Sequence, residues 1–180
     1  MQTPRGWPES VAGLVAAATE SGRIAAMREA LNAIRALPQA QQGRPFRLGI
    51  CRTFTVETQL DALTLGLATL PCRPEIIVGD LETIEQLLLD DKSAMLQAAP
   101  DALLVLWRLE ELHSRLAFEH DAMTAEDRER AAAEVINRIE RLCTQYVKVA
   151  AAPLFLSTLP QQSASSAGMN DVYSPHAPRH

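Results

Sequence analysis

The chain has 180 residues, 47% of them hydrophobic but only 4% aromatic, with a net charge of -5. That length and balance allow one domain with a sizeable aliphatic core, and the acidic sum argues against a nucleic-acid partner, whose phosphates demand excess Lys and Arg. No apolar run approaches the ~20 residues that a bilayer requires, so no membrane association is expected.

The charge is uneven. Residues 1–56 hold seven Arg against three Glu, for +4, which leaves -9 on the remainder. Arg on helix surfaces most often makes only a solvated face, although an Arg-rich part can attract an acidic partner. Cys51, Cys72 and Cys143 are scattered, with no CxxC and no metal-ligand spacing. They point to a reducing, cytoplasmic setting and to no metal or cofactor. The opening Met1–Pro8 is polar, so no signal peptide is expected.

Pro8-Glu9 suits a helix start, and Val11, Leu14, Val15 and Ala18 supply its apolar stripe. Ser21-Gly22 interrupts, with Ser21 the candidate N-cap of a second helix carrying Ile24, Met27, Leu31, Ile34 and Leu37. Pro38 ends it, and Gln39–Pro45 reads as a polar linker. Residues 1–44 are therefore expected to form an appended helical hairpin and linker.

Leu48–Cys51 has the length of a buried strand. Arg52–Thr55 is a Thr-rich turn, and Leu60, Leu63, Leu67 and Leu70 recur at helical spacing. Thr55 is the candidate N-cap of that helix, with Glu57 in its first turn. A second strand, Glu75–Val78, is expected to end at Gly79-Asp80, and Leu81, Ile84, Leu87 and Leu88 continue as an amphipathic helix. A third strand covers Ala102–Trp107. Thr124-Ala125-Glu126-Asp127 opens a long helix as a capping box does, with Ala132, Val135, Ile136, Ile139, Leu142, Cys143 and Tyr146 on one face. Pro153–Ser157 reads as a fourth strand.

This β-α-β-α-β-α-β order implies a three-layer α/β/α fold over residues 45–159, with a parallel sheet in the flavodoxin-like order 2-1-3-4. Four strands make a small sheet, so a longer parent polypeptide is expected. From Leu159 the composition turns to Gln, Ser, Ala, Pro and His, and residues 160–180 are expected to be disordered.

In open α/β sheets ligands bind where the strands end at their carboxyl edge. That rule selects Arg52, Thr53, Thr55, Gly79, Asp80, Trp107 and Arg108 as candidate site residues, with Thr53 the candidate nucleophile. Val78-Gly79-Asp80-Leu81-Glu82-Thr83 mimics the DxDxT loop of haloacid-dehalogenase (HAD) phosphatases, but Glu82 replaces the second Asp. Gly79 as a strand-end turn and Asp80 as a helix cap is the better reading. GxxxxGK[ST], GxGxxG and GxSxG are absent. Asp171 and His176 could imitate a hydrolase pair, but a general base must be held within reach of its nucleophile, which a floppy tail does not do.

Several short blocks fall in order at matching spacing: Phe54-Thr55-Val56-Glu57, Val78-Gly79-Asp80, Glu85-Gln86-Leu87-Leu88, Leu89-Asp90-Asp91-Lys92-Ser93 and Ala99-Pro100-Asp101. Over Arg47–Leu159 they resemble the N-terminal SGNH-hydrolase-like domain of FkbH-like proteins of polyketide biosynthesis. The resemblance implies a domain that precedes a HAD-type phosphatase domain, which loads a glyceryl unit onto an acyl carrier protein. It places Thr53 at the position of the SGNH Ser, Gly79 at that of the Gly and Arg108 near that of the Asn. The C-terminal Asp/His pair has no folded counterpart. The expectation is a non-catalytic or reduced SGNH-like module that positions an acyl carrier protein or a HAD-type phosphatase or acyltransferase domain. The alternative is an SGNH-like esterase or acyltransferase with an atypical nucleophile, Thr53 or Ser157.

Because residues 160–180 lack apolar periodicity, truncation before Pro160 is expected to leave the thermal midpoint nearly unchanged. A loss of several degrees by calorimetry would show that the tail packs.

Overall fold

The structure is a computed structural model that describes residues 6–70, 72–81 and 83–159. The expected tail, residues 160–180 with Asp171 and His176, lies outside the described residues, as does Glu82.

Helices α1 (Glu9–Ser21) and α2 (Ile24–Arg35) form the expected hairpin. Its turn is made by Gly22, whose φ of 64° is the left-handed C-cap conformation that Gly adopts without a Cβ penalty. Ser21 is therefore the last residue of α1 rather than the cap of α2: its hydroxyl donates back to the Ala18 carbonyl. The expected polar linker instead holds a short helix, α3 (Gln39–Gln42), and already begins strand β1 (Arg44–Arg52).

Helix α4 (Leu60–Ala68) follows, then β2 (Cys72–Leu81), α5 (Ile84–Leu89), α6 (Ala94–Gln97) and β3 (Ala102–Leu106). Two short helices, α7 (Leu109–Leu112) and α8 (Ser114–Phe118), and a 3-10 turn at His120–Ala122 lead to the long α9 (Ala125–Val149) and to β4 (Leu154–Leu156). The Thr124 hydroxyl accepts from the Asp127 backbone N–H at 3.1 Å, the N-cap bond that the capping box anticipates.

The fold is α/β, and the four strands run parallel in the order β2-β1-β3-β4. The connection from β1 to β2 runs one way along the sheet, whereas those from β2 to β3 and from β3 to β4 run the other way. Right-handed crossovers then require helices on opposite faces. Accordingly, Leu60, Leu63 and Leu67 of α4 pack with Leu48, Ile50, Leu104 and Leu106 on one face. Leu88, Met95, Leu142 and Tyr146, from α5, α6 and α9, pack with Cys51, Leu103 and Val105 on the other. The hairpin is not detached: Val15, Ala18, Ala30 and Leu31 close a further cluster with Leu65 and Ala68 on the outer side of α4. The buried stripe of α9 is Ala131, Val135, Leu142 and Tyr146, and Ile136, expected on that face, is 55% exposed.

Two local expectations are overturned. The Thr55 and Glu57 side chains do not begin α4, because Gln59 holds the N-cap position and Asp61 is the acid of the first turn. Thr55 is exposed in the preceding loop. Gly79 and Asp80 do not end β2; both lie within it, at a register shift where Ile50 pairs with Val78 but Arg52 pairs with Leu81. The two-residue step on β1 against three on β2 is a bulge. Thr83, not Asp80, stands at the N-cap position of α5.

No helix among the described residues is long and apolar enough to cross a membrane.

β1 lies between β2 and β3, so it is crowded on both edges and both faces. At Gly49, opposite Leu103 and Ile77, a Cβ would collide with the Leu103 and Met95 side chains. Leu103 is fully buried and Met95 nearly so. Gly49→Ala is expected to destabilise the fold by about 1–3 kcal/mol through overpacking, read as a lower urea midpoint at unchanged m-value.

Candidate functional site

The sheet changes direction between β1 and β3, and in open α/β sheets the crevice at such a switch point is where ligands bind. Here a cleft of about 320 Å³ opens at that place. Thr53, the first residue beyond β1, and Trp107, the first beyond β3, form its floor; the Thr53 backbone N–H donates to the Leu106 carbonyl at 3.0 Å and locks the two strand ends together. Thr83, Ile84, Glu85 and Gln86 at the start of α5 form one wall. Glu111 and Leu112 of α7 and Arg138 of α9 form the other.

The two walls are bridged by charge. Arg138 Nε donates to Glu85 Oε1 at 2.9 Å, and its Nη1 donates to the Glu111 carbonyl at 3.3 Å. With side chains 39% and 46% exposed, Arg138 and Glu85 are screened by solvent, so the pair fixes geometry more than it stabilises.

The floor is chemically unusual. The Trp107 indole N–H and the Thr53 hydroxyl are both buried and have no hydrogen-bond partner among the described residues. Trp107 as a whole is only 3% exposed. An unmet buried donor costs roughly 1–3 kcal/mol, and nearly all buried polar groups are paired. Both belong to residues that line the cleft, and both atoms are closed off from solvent.

The other sequence-selected residues do not line the cleft. Strand alternation turns Arg52 to the opposite face, where Nε donates to the Gly79 carbonyl at 3.3 Å and Nη1 pairs with Glu57 at 2.8 Å. Hydrogen bonding from its own backbone N–H and from Arg52 holds the Glu57 carboxyl below its usual pKa. Arg108 is exposed, with its guanidinium carbon 4.7 Å from the centre of the Phe54 ring, a cation–π contact. Gly79 is buried where α5 and α6 approach the sheet: a Cβ there would meet Leu87, the Ile50 carbonyl and Met95. Asp80 and Thr55 are exposed and outside the cleft.

Other potential nucleophiles and bases stand elsewhere. Cys51 is fully buried, and burial pushes its thiol up to about 12, so it is inert as a thiolate source near neutrality. The Ser157 hydroxyl, beyond β4, is buried with no hydrogen-bond partner among the described residues and does not line the cleft. His113 Nδ1 accepts from the Leu116 backbone N–H at 3.1 Å, which leaves Nε2 facing Glu134 at 3.5 Å. His120 lies 3.4 Å from Asp121. Among the described residues no group of three or more His, Cys, Asp or Glu is placed to hold a metal ion.

Sequence reasoning missed Glu85, Gln86, Glu111 and Arg138. For Arg138 a signal exists: it occupies a slot of the helical stripe between Val135 and Leu142, where an apolar residue is expected.

No family model matches the chain, and no curated protein matches it. The fold is similar to that of a solved structure, the N-terminal part of the protein BF1531 from Bacteroides fragilis, which contains a phosphatase domain and is complexed with Mg. The TM-score is 0.55 at 12% identity, over 73% of this chain and 33% of that one. At that identity the likeness shows the fold, and the chain spans about a third of the solved length.

Thr53→Val keeps the branched shape and removes the unmet hydroxyl. It is expected to leave stability unchanged or raise it by up to ~1 kcal/mol, measured by urea denaturation. A fall of similar size would mean that the hydroxyl is satisfied within the protein.

Proposed function

We propose that this chain is a non-catalytic positioning module, of the kind that precedes the HAD-type phosphatase domain in FkbH-like proteins. It holds a ligand or partner at the carboxyl ends of β1 and β3, in service of acyl-carrier-protein-dependent biosynthesis. The likeness to a phosphatase-containing protein supports that setting at the level of fold. The block resemblance over Arg47–Leu159 supplies the carrier-protein partner, and the acyl carrier protein or the HAD-type domain would dock over the cleft mouth.

The observation that carries the non-catalytic reading is the isolation of Thr53. Its hydroxyl makes no hydrogen bond to an imidazole or a carboxylate among the described residues. A hydroxyl must lose its proton as it attacks, and at neutral pH an adjacent base has to take it. His113 and His120 are engaged with Leu116, Glu134 and Asp121 instead. Thr53 therefore has the surroundings of a binding group rather than a nucleophile.

Purified protein is expected to show no hydrolysis of short activated esters, and Thr53→Ala is expected to change nothing in that assay. Turnover above about 1 per second, within the ordinary enzyme range and lost in Thr53→Ala, would overturn the non-catalytic reading and establish the esterase alternative.

A further inference from the structure

The two edges of the sheet are finished differently. β2, at one end, carries Arg73, Glu75 and Asp80, together with Pro74, which has no N–H to donate. Charge and Pro keep an edge strand from pairing with another chain. β4, at the other end, reads Leu154-Phe155-Leu156, with neither.

The ladder to β3 fixes which backbone groups of β4 are unused. The Pro153 carbonyl accepts from the Leu103 N–H, and the Ser157 N–H donates to the Val105 carbonyl, each at 2.9 Å. Residues 153, 155 and 157 thus turn their backbone polar groups to β3, and by alternation Leu154 and Leu156 turn theirs outward. No strand pairs with that outer edge among the described residues.

The side chains beside the edge are apolar and uncovered. Phe155, on the α4 face of the sheet, is 56% exposed. On the other face Val147 of α9 is 70% exposed, and with Ile136 and Cys143 it forms a stripe at helical spacing. Arg138 and its bond to Glu85 occupy the opposite flank of that helix. Cys143, Tyr146 and Val147 line a groove of about 500 Å³ together with Leu154 and Leu156, so the stripe stands level with the strand. Glu140 and Lys148 border it two turns apart. Both are exposed, and neither joins an ion pair among the described residues.

These features complement themselves. Let a twofold axis pass beside Phe155 and pair β4 antiparallel with β4 of a second copy. Leu154 then faces Leu156 of the other copy, and every outward N–H and carbonyl of the two strands is bonded. Phe155 meets its counterpart at the closer, non-hydrogen-bonded position, where aromatic pairs stabilise a sheet. The two α9 helices lie antiparallel on one face, stripe beside stripe, with Glu140 of each copy alongside Lys148 of the other. Such self-complementarity is what an isologous contact requires.

We propose that the chain forms a twofold dimer through β4 and the outer flank of α9, joining two four-stranded sheets into one continuous sheet.

Sedimentation equilibrium of the full chain from about 1 to 500 µM, the range of a weak interface, is expected to show the mass rising from 19.7 kDa toward twice that value. Phe155→Glu sets two carboxylates against each other across the axis and is expected to raise the Kd about tenfold. Glu140→Lys is expected to raise it about fivefold, and adding Lys148→Glu to bring it back to within about twofold, the signature of an antiparallel contact between identical helices. A mass of 19.7 kDa at every concentration, or a dimer indifferent to these substitutions, would overturn the proposal. Amide exchange identifies the occupant of the edge. Protection of the Leu154 and Leu156 N–H groups that rises with concentration supports the second copy. Protection already complete in the monomer would overturn it and assign the edge to residues 160–180 of the same chain.

Discussion

The alternation of side chains along β1 and β3 is the constraint from which the site follows. Successive residues of a strand point to opposite faces. Cys51 and Val105 face α5, α6 and α9, while Ile50 and Leu104 face α4. Carried one step past the strand ends, the same parity sends Thr53 and Trp107 toward α5 and α9, and Arg52 and Arg108 toward the α4 side. A slip of one residue in β1 would turn Arg52 toward the cleft, and a slip in β3 would turn Arg108 toward it. The register Gly49↔Leu103 and Cys51↔Val105 prevents it, because Gly49 accepts the Leu103 and Met95 side chains where no Cβ fits.

The polar floor is set against an otherwise apolar core. No polar or charged residue is fully buried among the described residues, and the helix layer above Thr53 and Trp107 is built from Ile84, Leu88, Met95 and Leu142. The orphaned indole N–H and hydroxyl therefore do not belong to a larger internal network. A Phe and a Val would fill the same space without the desolvation cost. Local conflicts of this kind concentrate at functional sites, where stability is given up for binding.

The four strands were legible because each is a short apolar run between turn residues, and their order because helices of crossover length separate them. Thr53 and Trp107 were legible because both directly follow strands. The rest of the cleft was not, for physical reasons. Arg138 comes from the middle of a 25-residue helix whose lateral position over the sheet no local pattern encodes. Glu85 reads as a first-turn acid, favoured by the helix dipole with or without a cleft. Thr55 and Gly79 misled for a common reason, since caps and strand-end turns draw on the same small and polar residues as loops and bulges do. The loop after β1 runs to Gln59 before α4 begins, and β2 continues through its bulge to Leu81.

Why the cleft opens on one face alone follows from what Arg52 does on the other. Its guanidinium ties the β2 bulge, through the Gly79 carbonyl, to Glu57 in the loop after β1. With a side chain only 11% exposed, it fills the space beneath that loop. Phe54 lies in the same loop and is covered by Arg108 at 4.7 Å. Two strand-end Arg thus form a lid over the α4 side, held by a carbonyl, a carboxylate and an aromatic face. The α5 side has no such cover: the Arg138–Glu85 pair spans its mouth from two helices and is about two-fifths exposed on each partner. An exposed ion pair of this sort is worth little and opens at little cost. The two helices that flank the cleft on this side are therefore joined by a contact that contributes little to holding them together.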